Sequence, residues 1–296
     1  MAEQLHGIIL KCIGGFYMVE AADAVYSCRA RGIFRQLGTT PMAGDRVRIT
    51  PQEEGTASLD AVEQRKNSLV RPPVANLDIL LVVASVAEPQ PNLLVLDKMI
   101  ALAERQDIEP VIIINKTDLE PPDTLMEIYH KAGFACFAFS ALRGDSLAEL
   151  TAMLSGKVSA LTGNSGVGKS SLLNCLLPEL SLETGEISRK LGRGRHTTRT
   201  AELYPLPLGG YIVDTPGFSS LELDRADWIL KEELPACFRE FQPYLGRCRY
   251  TSCAHVKESG CSILEAVAQG KIAESRHESY VSLYHQVKDR KEWERK

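Results

Sequence analysis

Several features that define whole classes of protein are missing from this sequence of 296 residues. No apolar run reaches the roughly 18 to 20 residues that a membrane-spanning helix needs. Residues 1–10 lack the basic start and the apolar core of a secretory signal peptide. We therefore expect a cytoplasmic protein with no membrane partner. The formal net charge is only −4, so the chain as a whole carries no electrostatic signature of nucleic-acid binding.

The eight cysteines contain no Cys-x-x-Cys pair, and in a cytoplasmic chain they argue against a disulfide framework. Five are scattered, and we expect them to be small buried apolar side chains: Cys12, Cys28, Cys136, Cys175 and Cys237.

The other three cysteines accompany a histidine within fourteen residues: Cys248, Cys253, His255 and Cys261. Three thiolates and one imidazole form a complete tetrahedral ligand set for one structural zinc ion, with no position left open for catalysis. Separate thiols and a surface histidine are the alternative interpretation.

Changes in the pattern of apolar and turn-forming residues divide the chain into three predicted domains. Residues 1–70 contain short β-type runs between Gly, Pro and Asp turn signals, which predicts a small barrel or sandwich. An OB-fold is one candidate, and the pattern does not separate it from an SH3-like barrel. Residues 71–223 alternate continuous apolar strands with helical segments, one of them predicted from Asp145 to Leu154, and this alternation predicts a mainly parallel sheet. Residues 224–296 read as short helices around the cysteine cluster, followed by a charged helix.

A phosphate-binding loop is predicted at residues 163–170, where the sequence matches G-x-x-x-x-G-K-[ST] between a predicted strand and a predicted helix. Glycines let backbone N–H groups close around phosphates at the start of the helix. Lys169 would neutralise the β- and γ-phosphate oxygens during hydrolysis, and Ser170 would bind Mg²⁺. A chance glycine-rich turn is the alternative. The predicted nucleotide contacts here are Gly163, Asn164, Ser165, Gly166, Val167, Gly168, Lys169, Ser170 and Ser171.

A second phosphate-contacting motif, Asp-Thr-Pro-Gly, begins at Asp214 after a predicted strand. Asp214 would hold the Mg²⁺ ion through water, and the Gly217 N–H would contact the γ-phosphate. Alone, this tetrapeptide is more often an ordinary turn, but downstream of a phosphate loop it indicates a nucleotide switch.

The base-reading motif is Asn-Lys-Thr-Asp, directly after a predicted strand. The Asp118 carboxylate can accept hydrogen bonds from guanine N1–H and the 2-amino group, which adenine cannot donate, so this motif predicts guanine selectivity. Ser140 and Ala141 would support the guanine O6, although Leu142 replaces the usual lysine of a Ser-Ala-Lys motif. Lys116 would pack its stem along the base plane, and Asn115 would tie neighbouring loops together. The predicted contacts of the first motif are Asn115, Lys116, Thr117 and Asp118.

The order of these motifs is circularly permuted, since the base-reading motifs precede the phosphate loop. Such loops all lie at the carboxyl ends of parallel strands, where open α/β sheets bind ligands, so only the connectivity changes. The motif at residues 214–217 then leads into the C-terminal region, and we expect nucleotide state and the position of that region to be coupled.

A basic segment at residues 192–199 lies where the first switch belongs. Thr197 or Thr198 could complete the Mg²⁺ shell, and we favour Thr198. Phe218 stands where Ras-like enzymes have a water-orienting glutamine, so we expect slow intrinsic hydrolysis. His196 is our candidate to orient the water when a partner orders the loop; the alternatives are a contact with RNA or phosphate, or a solvated basic loop.

Taken together, these motifs resemble the RsgA (YjeQ/YloQ) family of small ribosomal subunit biogenesis GTPases over nearly the whole chain. The resemblance implies a fold with a P-loop GTPase core of permuted motif order. It implies an all-β OB-fold barrel before the core and a small, mainly α zinc-binding domain after it. It also implies late binding to the 30S subunit and its 16S rRNA, and subunit-stimulated conversion of GTP to GDP. We separately expect the protein to be a monomer. Family members have Thr-Thr-Thr where this chain has Thr-Thr-Arg-Thr, which leaves the Mg²⁺-binding threonine open.

Two other functions are compatible with parts of the pattern. A regulatory GTP/GDP-binding module with negligible turnover is permitted by Phe218. A P-loop ATPase or metabolite kinase would share the phosphate loop, but Asp118 argues against it.

Overall fold

The computed structural model describes residues 4–30, 34, 40–53, 55–69, 73–178, 201–214 and 229–290. Contacts divide the chain into two compact units. The first comprises Met1–Ile79, Thr151–Leu161 and Leu176–Phe218, and the second comprises Leu80–Leu150, Thr162–Cys175 and Ser219–Lys296. Among the described helices, none combines the length and the apolar character needed to cross a bilayer.

The first unit contains a closed five-stranded barrel. Its strands pair in the order β1-β2-β3-β5-β4, and β4 pairs back with β1 through Leu5 and Ile49. Alternate side chains point inward, as the two-residue period of a strand requires, so Ile9, Val19 and Leu59 are fully buried in the barrel core. This closure confirms the predicted OB-fold-like barrel. The strands are β1 (Leu5–Ile13), β2 (Phe16–Ala21), β3 (Ala24–Ala30), β4 (Arg46–Pro51) and β5 (Thr56–Val62).

Further strands of the first unit continue from β1. Strand β12 pairs antiparallel with β1 and with β13, and β13 pairs parallel with β11. A separate two-stranded sheet joins β6 to β7. These strands are β6 (Ser68–Leu69), β7 (Val74–Ala75), β11 (Val158–Thr162), β12 (Glu202–Pro205) and β13 (Tyr211–Asp214).

The second unit contains the strands β8 (Ile79–Ser85), β9 (Glu109–Asn115) and β10 (Ala135–Ala138), which neighbour one another in the order β10-β9-β8. Every residue of β8 is buried, in keeping with its continuous apolar sequence. The alternation of strands and helices confirms the predicted α/β class. The helices in chain order are α1 (Leu93–Arg105), α2 (Asp123–Lys131), α3 (Ala148–Leu154), α4 (Lys169–Leu176), α5 (Ser262–Ala268) and α6 (Glu274–Val287), with 3₁₀ helices at Leu234–Cys237 and Arg239–Tyr244.

Helix α3 begins at Ala148, three residues after the Asp145 start that its sequence suggested. Asp145 belongs instead to a turn, where its carboxylate accepts the backbone N–H of Ser140 at 2.8 Å. Its own N–H donates to the Ser140 carbonyl oxygen at 3.3 Å. An aspartate that closes such a turn is unavailable to the first turn of the helix.

The scattered cysteines differ in burial, and the expectation that all five are buried is wrong. Cys28 and Cys237 are buried, whereas Cys12 and Cys136 are half-buried and Cys175 is exposed. Cys175 lies on α4 away from the face that buries Leu172, Leu173 and Leu176. Burial raises the pKa of Cys136 to about 12, so this thiol stays protonated at neutral pH.

A buried charge cluster joins α6 to α1 within the second unit. The guanidinium of Arg276 donates to Asp97 Oδ1 at 2.6 Å and to Glu240 Oε1 at 2.7 Å. The side chains of Arg276 and Asp97 are each 1% exposed. The ring of Phe238 lies 4.7 Å from the guanidinium carbon and closes the cluster from solvent. Because charges removed from water are tolerated only when paired, each member of this cluster depends on the others.

We expect Arg276→Ala to lower the free energy of unfolding by about 3–5 kcal/mol, because it leaves the buried carboxylates of Asp97 and Glu240 without their cation. The matched control is Arg105→Ala, which removes an ion pair to Glu233 whose side chains are 20% and 34% exposed. That partly solvated pair contributes about 1 kcal/mol or less. Urea unfolding of both variants measures the difference, and equal losses would contradict the importance of burial.

Candidate nucleotide site and metal centre

The phosphate loop lies between β11 and α4, as its motif requires. Three of its glycines have positive φ angles, +143° at Gly163, +81° at Gly166 and +94° at Gly168. The ammonium group of Lys169 lies over the loop and donates to the carbonyl oxygens of Gly163 at 2.8 Å and Asn164 at 2.7 Å. Burial lowers the pKa of Lys169. The loop therefore places one cation against a curved run of backbone.

Asn115 joins the predicted base-reading loop to the phosphate loop, 52 residues away along the chain. It is the last residue of β9 and is 2% exposed. Its Nδ2 donates to the Val167 carbonyl oxygen at 2.9 Å, and its Oδ1 accepts the Lys116 N–H at 2.7 Å. A Cβ atom at Gly168 would collide with Asn115 Nδ2, so this close approach requires glycine.

Lys116 extends from the same loop toward the segment after β8. Its backbone has a left-handed φ of 62°, and its Nζ donates to the Glu88 carbonyl oxygen. Glu88 was not identified from the sequence, because a backbone acceptor in a loop has no residue-type signal. The contact fixes the Lys116 stem beside the loop, where it is available to pack along a flat ligand.

Asp118 and Ser140, which come from the two predicted base-reading motifs, lie in direct contact. Ser140 Oγ donates to Asp118 Oδ1 at 2.5 Å. This hydrogen bond lowers the pKa of the exposed Asp118 carboxyl below its usual value, so the group is an anion at neutral pH. Asp118, Thr117, Ala138 and Arg143 are among the residues that line an open cavity of about 360 Å³, a volume in the range of small-ligand sites.

Arg143 is a second residue that motif reasoning missed. It follows the exposed Leu142 and contributes its guanidinium to the wall of the cavity. Its Nη2 donates to Thr117 Oγ1 at 2.5 Å. The proximity of Thr117, Asp118 and Ser140 was expected from their motifs, but the contact from Arg143 depends on a turn geometry that the sequence did not indicate.

Several predicted residues cannot be placed in this site. Asp214 ends strand β13, but its side chain lies outside the described part of the structure. The same holds for the whole of the basic segment and the second switch, including His196, Thr197, Thr198, Gly217 and Phe218.

The four predicted metal ligands form one cluster whose ligand atoms lie within 4.8 Å of one another: Cys248, Cys253, His255 and Cys261. Cys248 Sγ lies 3.9 Å from Cys261 Sγ and 3.5 Å from His255 Nδ1. His255 Nδ1 lies 3.4 Å from Cys261 Sγ. This donor set could hold a metal ion.

Residues outside the ligand set hold the backbone around this cluster. The Glu258 carboxylate accepts the backbone N–H groups of Ala254 at 3.1 Å and Val256 at 2.9 Å. Two side chains of α6 also donate to this backbone. His277 Nε2 donates to the His255 carbonyl oxygen at 2.8 Å, and the Tyr280 hydroxyl donates to the Ala254 carbonyl oxygen at 2.7 Å. Such supporting contacts orient metal ligands, and cysteine spacing alone did not reveal them.

The chain is similar to known proteins over almost its whole length. A family model described as RsgA GTPase matches residues 62–224, and one described as RsgA N-terminal domain matches residues 6–59. The "Small ribosomal subunit biogenesis GTPase RsgA" of Caldanaerobacter subterraneus subsp. tengcongensis is 44% identical over 97% of this chain and 97% of its own length. The protein of that name from Moorella thermoacetica is 45% identical over 96% of this chain and 97% of its own length.

Two solved structures share the fold. YjeQ from Thermotoga maritima superposes with a TM-score of 0.83 and 36% identity, over 98% of this chain and 100% of that one. YloQ, described as a circularly permuted GTPase, superposes with a TM-score of 0.81 and 34% identity, over 98% of this chain and 96% of that one. The permuted motif order read from the sequence agrees with that description.

The contact between Gly168 and Asn115 generates a stability prediction. We expect Gly168→Ala to lower the free energy of unfolding by about 2–3 kcal/mol, from left-handed backbone strain and a lost hydrogen bond. Gly270→Ala is the matched control, because Gly270 also has a positive φ of +69° but nothing lies within 4 Å of its Cβ position. The control should lose only about 1 kcal/mol. Urea unfolding measures both, and equal losses would show that the Asn115 contact is unimportant.

Proposed function

The chain belongs to the RsgA GTPase family, and from this premise we propose that it binds the 30S ribosomal subunit late in assembly. There it would hydrolyse GTP to GDP and phosphate with stimulation by the subunit. The observation that best supports this proposal is the hydrogen bond from Asn115 to the Val167 carbonyl oxygen. It joins a loop suited to guanine to a loop suited to phosphates. The ribosomal role is supported by relatives that are named small ribosomal subunit biogenesis GTPases.

The proposed nucleotide contacts divide into a base end and a phosphate end. At the base end, the Asp118 carboxylate accepts hydrogen bonds from guanine N1–H and the 2-amino group, and a site built around such bonds rejects adenine strongly. The Lys116 stem packs on the base, while Ser140 and Ala141 support O6. At the phosphate end, residues 163–171 supply backbone N–H groups, and Lys169 supplies the positive charge.

Magnesium is proposed to accompany GTP at the phosphate end. Mg²⁺ prefers oxygen ligands, and the half-buried Ser170 hydroxyl in the first turn of α4 is a donor of that class. The Asp214 carboxylate and the Thr198 hydroxyl are the other proposed donors. When bound, the ion neutralises charge on the β- and γ-phosphate oxygens. His196 is proposed to orient the attacking water, and the Gly217 N–H to contact the γ-phosphate.

The cysteine cluster is proposed to hold one structural zinc ion. In a tetrahedral site with zinc–sulfur bonds of about 2.3 Å and zinc–nitrogen bonds of about 2.0 Å, two sulfur atoms lie about 3.8 Å apart, and a sulfur and a nitrogen about 3.5 Å. The observed separations of 3.9 Å between Cys248 and Cys261 and 3.4 Å between His255 and Cys261 fit these values. Four protein ligands make the site structural, so no hydrolytic step is assigned to it.

A cytoplasmic monomer with an rRNA-binding barrel completes the proposal. Arg29, Arg46 and Arg48 are exposed on the barrel strands, and the Arg29 guanidinium lies 4.8 Å from the Phe16 ring centroid. Exposed cations and an aromatic ring on the barrel strands suit contact with 16S rRNA. We propose residues 1–70 as this RNA-binding domain, residues 71–223 as the GTPase domain and residues 224–296 as the zinc-binding domain.

Steady-state phosphate release from GTP, measured alone, with 30S and with 50S subunits, tests the function. We expect 30S subunits to raise the rate by at least roughly tenfold, since partners that order catalytic groups accelerate GTPases strongly. His196→Ala should lose most of this stimulation, whereas His130→Ala, at an exposed position on α2, should keep it.

Each other outcome of that measurement has a defined meaning. Stimulation by 50S alone, or by neither subunit, would reject the proposed partner, and GTP binding without turnover under all conditions would favour a regulatory module. An unchanged stimulated rate in His196→Ala would remove that residue from the reaction.

Metal analysis of the purified chain tests the zinc assignment. We expect one zinc per chain, lost in Cys261→Ser and retained in the control Cys237→Ser, whose thiol is buried outside the cluster. Because zinc binding free energy is part of folding free energy, chelation should also lower the melting temperature. A full complement of another metal, or zinc retained in Cys261→Ser, would contradict the assignment.

A further inference from the structure

Arg143 bridges the loop that carries Asp118 and the loop that carries Ser140. Its guanidinium Nη2 lies 2.5 Å from Thr117 Oγ1 and 3.3 Å from Asp145 Oδ2. Its backbone N–H donates to Ser140 Oγ at 3.3 Å. The side chain is 52% exposed, so it does not serve the hydrophobic core. Within the described part of the chain, its hydrogen bonds and its ion pair all lie in the loops that carry Asp118 and Ser140.

Asp145 extends the bridge to the backbone of the second loop. Its Oδ2 accepts both the Arg143 guanidinium and the Ser140 N–H, the latter at 2.8 Å. Ser140 Oγ in turn donates to Asp118 at 2.5 Å. Thr117, Arg143, Asp145, Ser140 and Asp118 therefore form a closed ring of polar contacts, and Thr117 and Asp118 are consecutive in the chain.

The geometry of this ring favours an arginine. One guanidinium nitrogen, Nη2, lies within hydrogen-bond distance of both the Thr117 hydroxyl and the Asp145 carboxylate. The planar group keeps the N–H bonds of that nitrogen in fixed directions, whereas an ammonium group acts as a point charge. Leu142 occupies the position of the usual lysine of the motif and has no donor. It is 87% exposed. Within this turn, the cation beside Asp118 comes from the next residue along.

We propose that Arg143 is a positioning residue for guanine selectivity. By tying Thr117 to Asp145, it holds the Asp118 carboxylate and the Ser140–Ala141 backbone toward the same edge of the base. This inference rests on the proposed nucleotide site. It adds that discrimination at the 2-amino group depends on a residue that makes no contact with that group.

Competition binding to the full-length chain tests this role, with a fluorescent GDP analogue displaced by GDP, by inosine diphosphate or by ADP. Inosine diphosphate lacks the 2-amino group and so forfeits one hydrogen bond to Asp118. A hydrogen bond to a charged group corresponds to a preference of roughly ten- to a hundredfold for GDP in the natural protein. In Arg143→Ala we expect this preference to fall below roughly threefold, because a carboxylate that is no longer held in place forms its two bonds poorly.

Three further variants isolate the role. Arg143→Lys should keep more of the preference for GDP than Arg143→Ala does, because a cation remains beside Thr117 and Asp145. Asp145→Asn should lose part of the preference, because the hydrogen-bond acceptor remains but its charge is removed. Lys131→Ala removes an exposed cation from the end of helix α2 and should leave both affinities unchanged. Melting temperatures of all variants are measured in parallel. A purely structural role would lower the melting temperature without changing the ratio of the two affinities.

The outcomes separate the inference from the function on which it rests. If the natural protein binds ADP as well as GDP, the proposed guanine site and the role of Arg143 both fail. If the natural protein prefers GDP to inosine diphosphate and Arg143→Ala keeps that ratio, the role of Arg143 is overturned while the proposed function stands. A ratio that falls in Arg143→Ala and partly recovers in Arg143→Lys supports the inference.

Discussion

The hydrogen bond from Asn115 to the Val167 carbonyl oxygen is the constraint on which the proposed nucleotide site depends. It closes the space between two loops that are far apart in the chain, and it does so at a distance that only Gly168 permits. A contact of this kind is indifferent to chain order, because it joins loop to loop and not strand to following helix. The permuted order is therefore compatible with an intact site: what must be preserved is the meeting of these two loops in space.

Helix α1 connects this site to the C-terminal part of the second unit. On one side, Met99 Sδ accepts the Thr162 hydroxyl at 3.4 Å, directly before the phosphate loop. On the other side, Asp97 binds the buried guanidinium of Arg276 on α6. The next residue on α6, His277, donates to the backbone of the metal cluster. Consecutive residues of one helix thus anchor both the charge cluster and the ligand loop, so the metal cluster is tied to α1 by buried polar contacts.

The parts of the molecule that the sequence predicted well are those encoded by local pattern. The glycines and lysine of residues 163–170, the apolar run of β8 and the cysteine–histidine spacing each specify their own geometry. The OB-like barrel required closure of β4 on β1, which alternation of residues suggested but could not distinguish from another small barrel. Asn115 was expected to connect loops because its motif includes that role.

The parts that escaped prediction depend on partners distant in the chain. Arg276 lies in a polar, charged helix sequence, and a lone arginine there reads as a surface residue. Its burial follows from Asp97, 179 residues away, and from the aromatic rings around it. Cys175 and the start of α3 were mispredicted for a related reason. Which face of α4 is buried, and whether Asp145 joins a turn or a helix, are decided by packing and by a hydrogen bond to Ser140.

The bonds that join the two proposed base-binding loops also explain how such a site can respond to a ligand. A backbone hydrogen bond joins the two loops, from the Thr117 N–H to the Phe139 carbonyl oxygen at 3.4 Å, and side-chain bonds at Asp118, Ser140 and Arg143 add to it. Each contributes about 1 kcal/mol on its own, somewhat more where a charge takes part. A ligand that binds only when these hydrogen bonds are formed stabilises all of the bonds together. The stabilisation grows with the logarithm of the ratio of ligand concentration to dissociation constant. Because Asn115 bonds the same loop to the phosphate loop, order gained at the base end restricts the phosphate end as well. The geometry thereby links the two halves of the site energetically through hydrogen bonds that are individually weak.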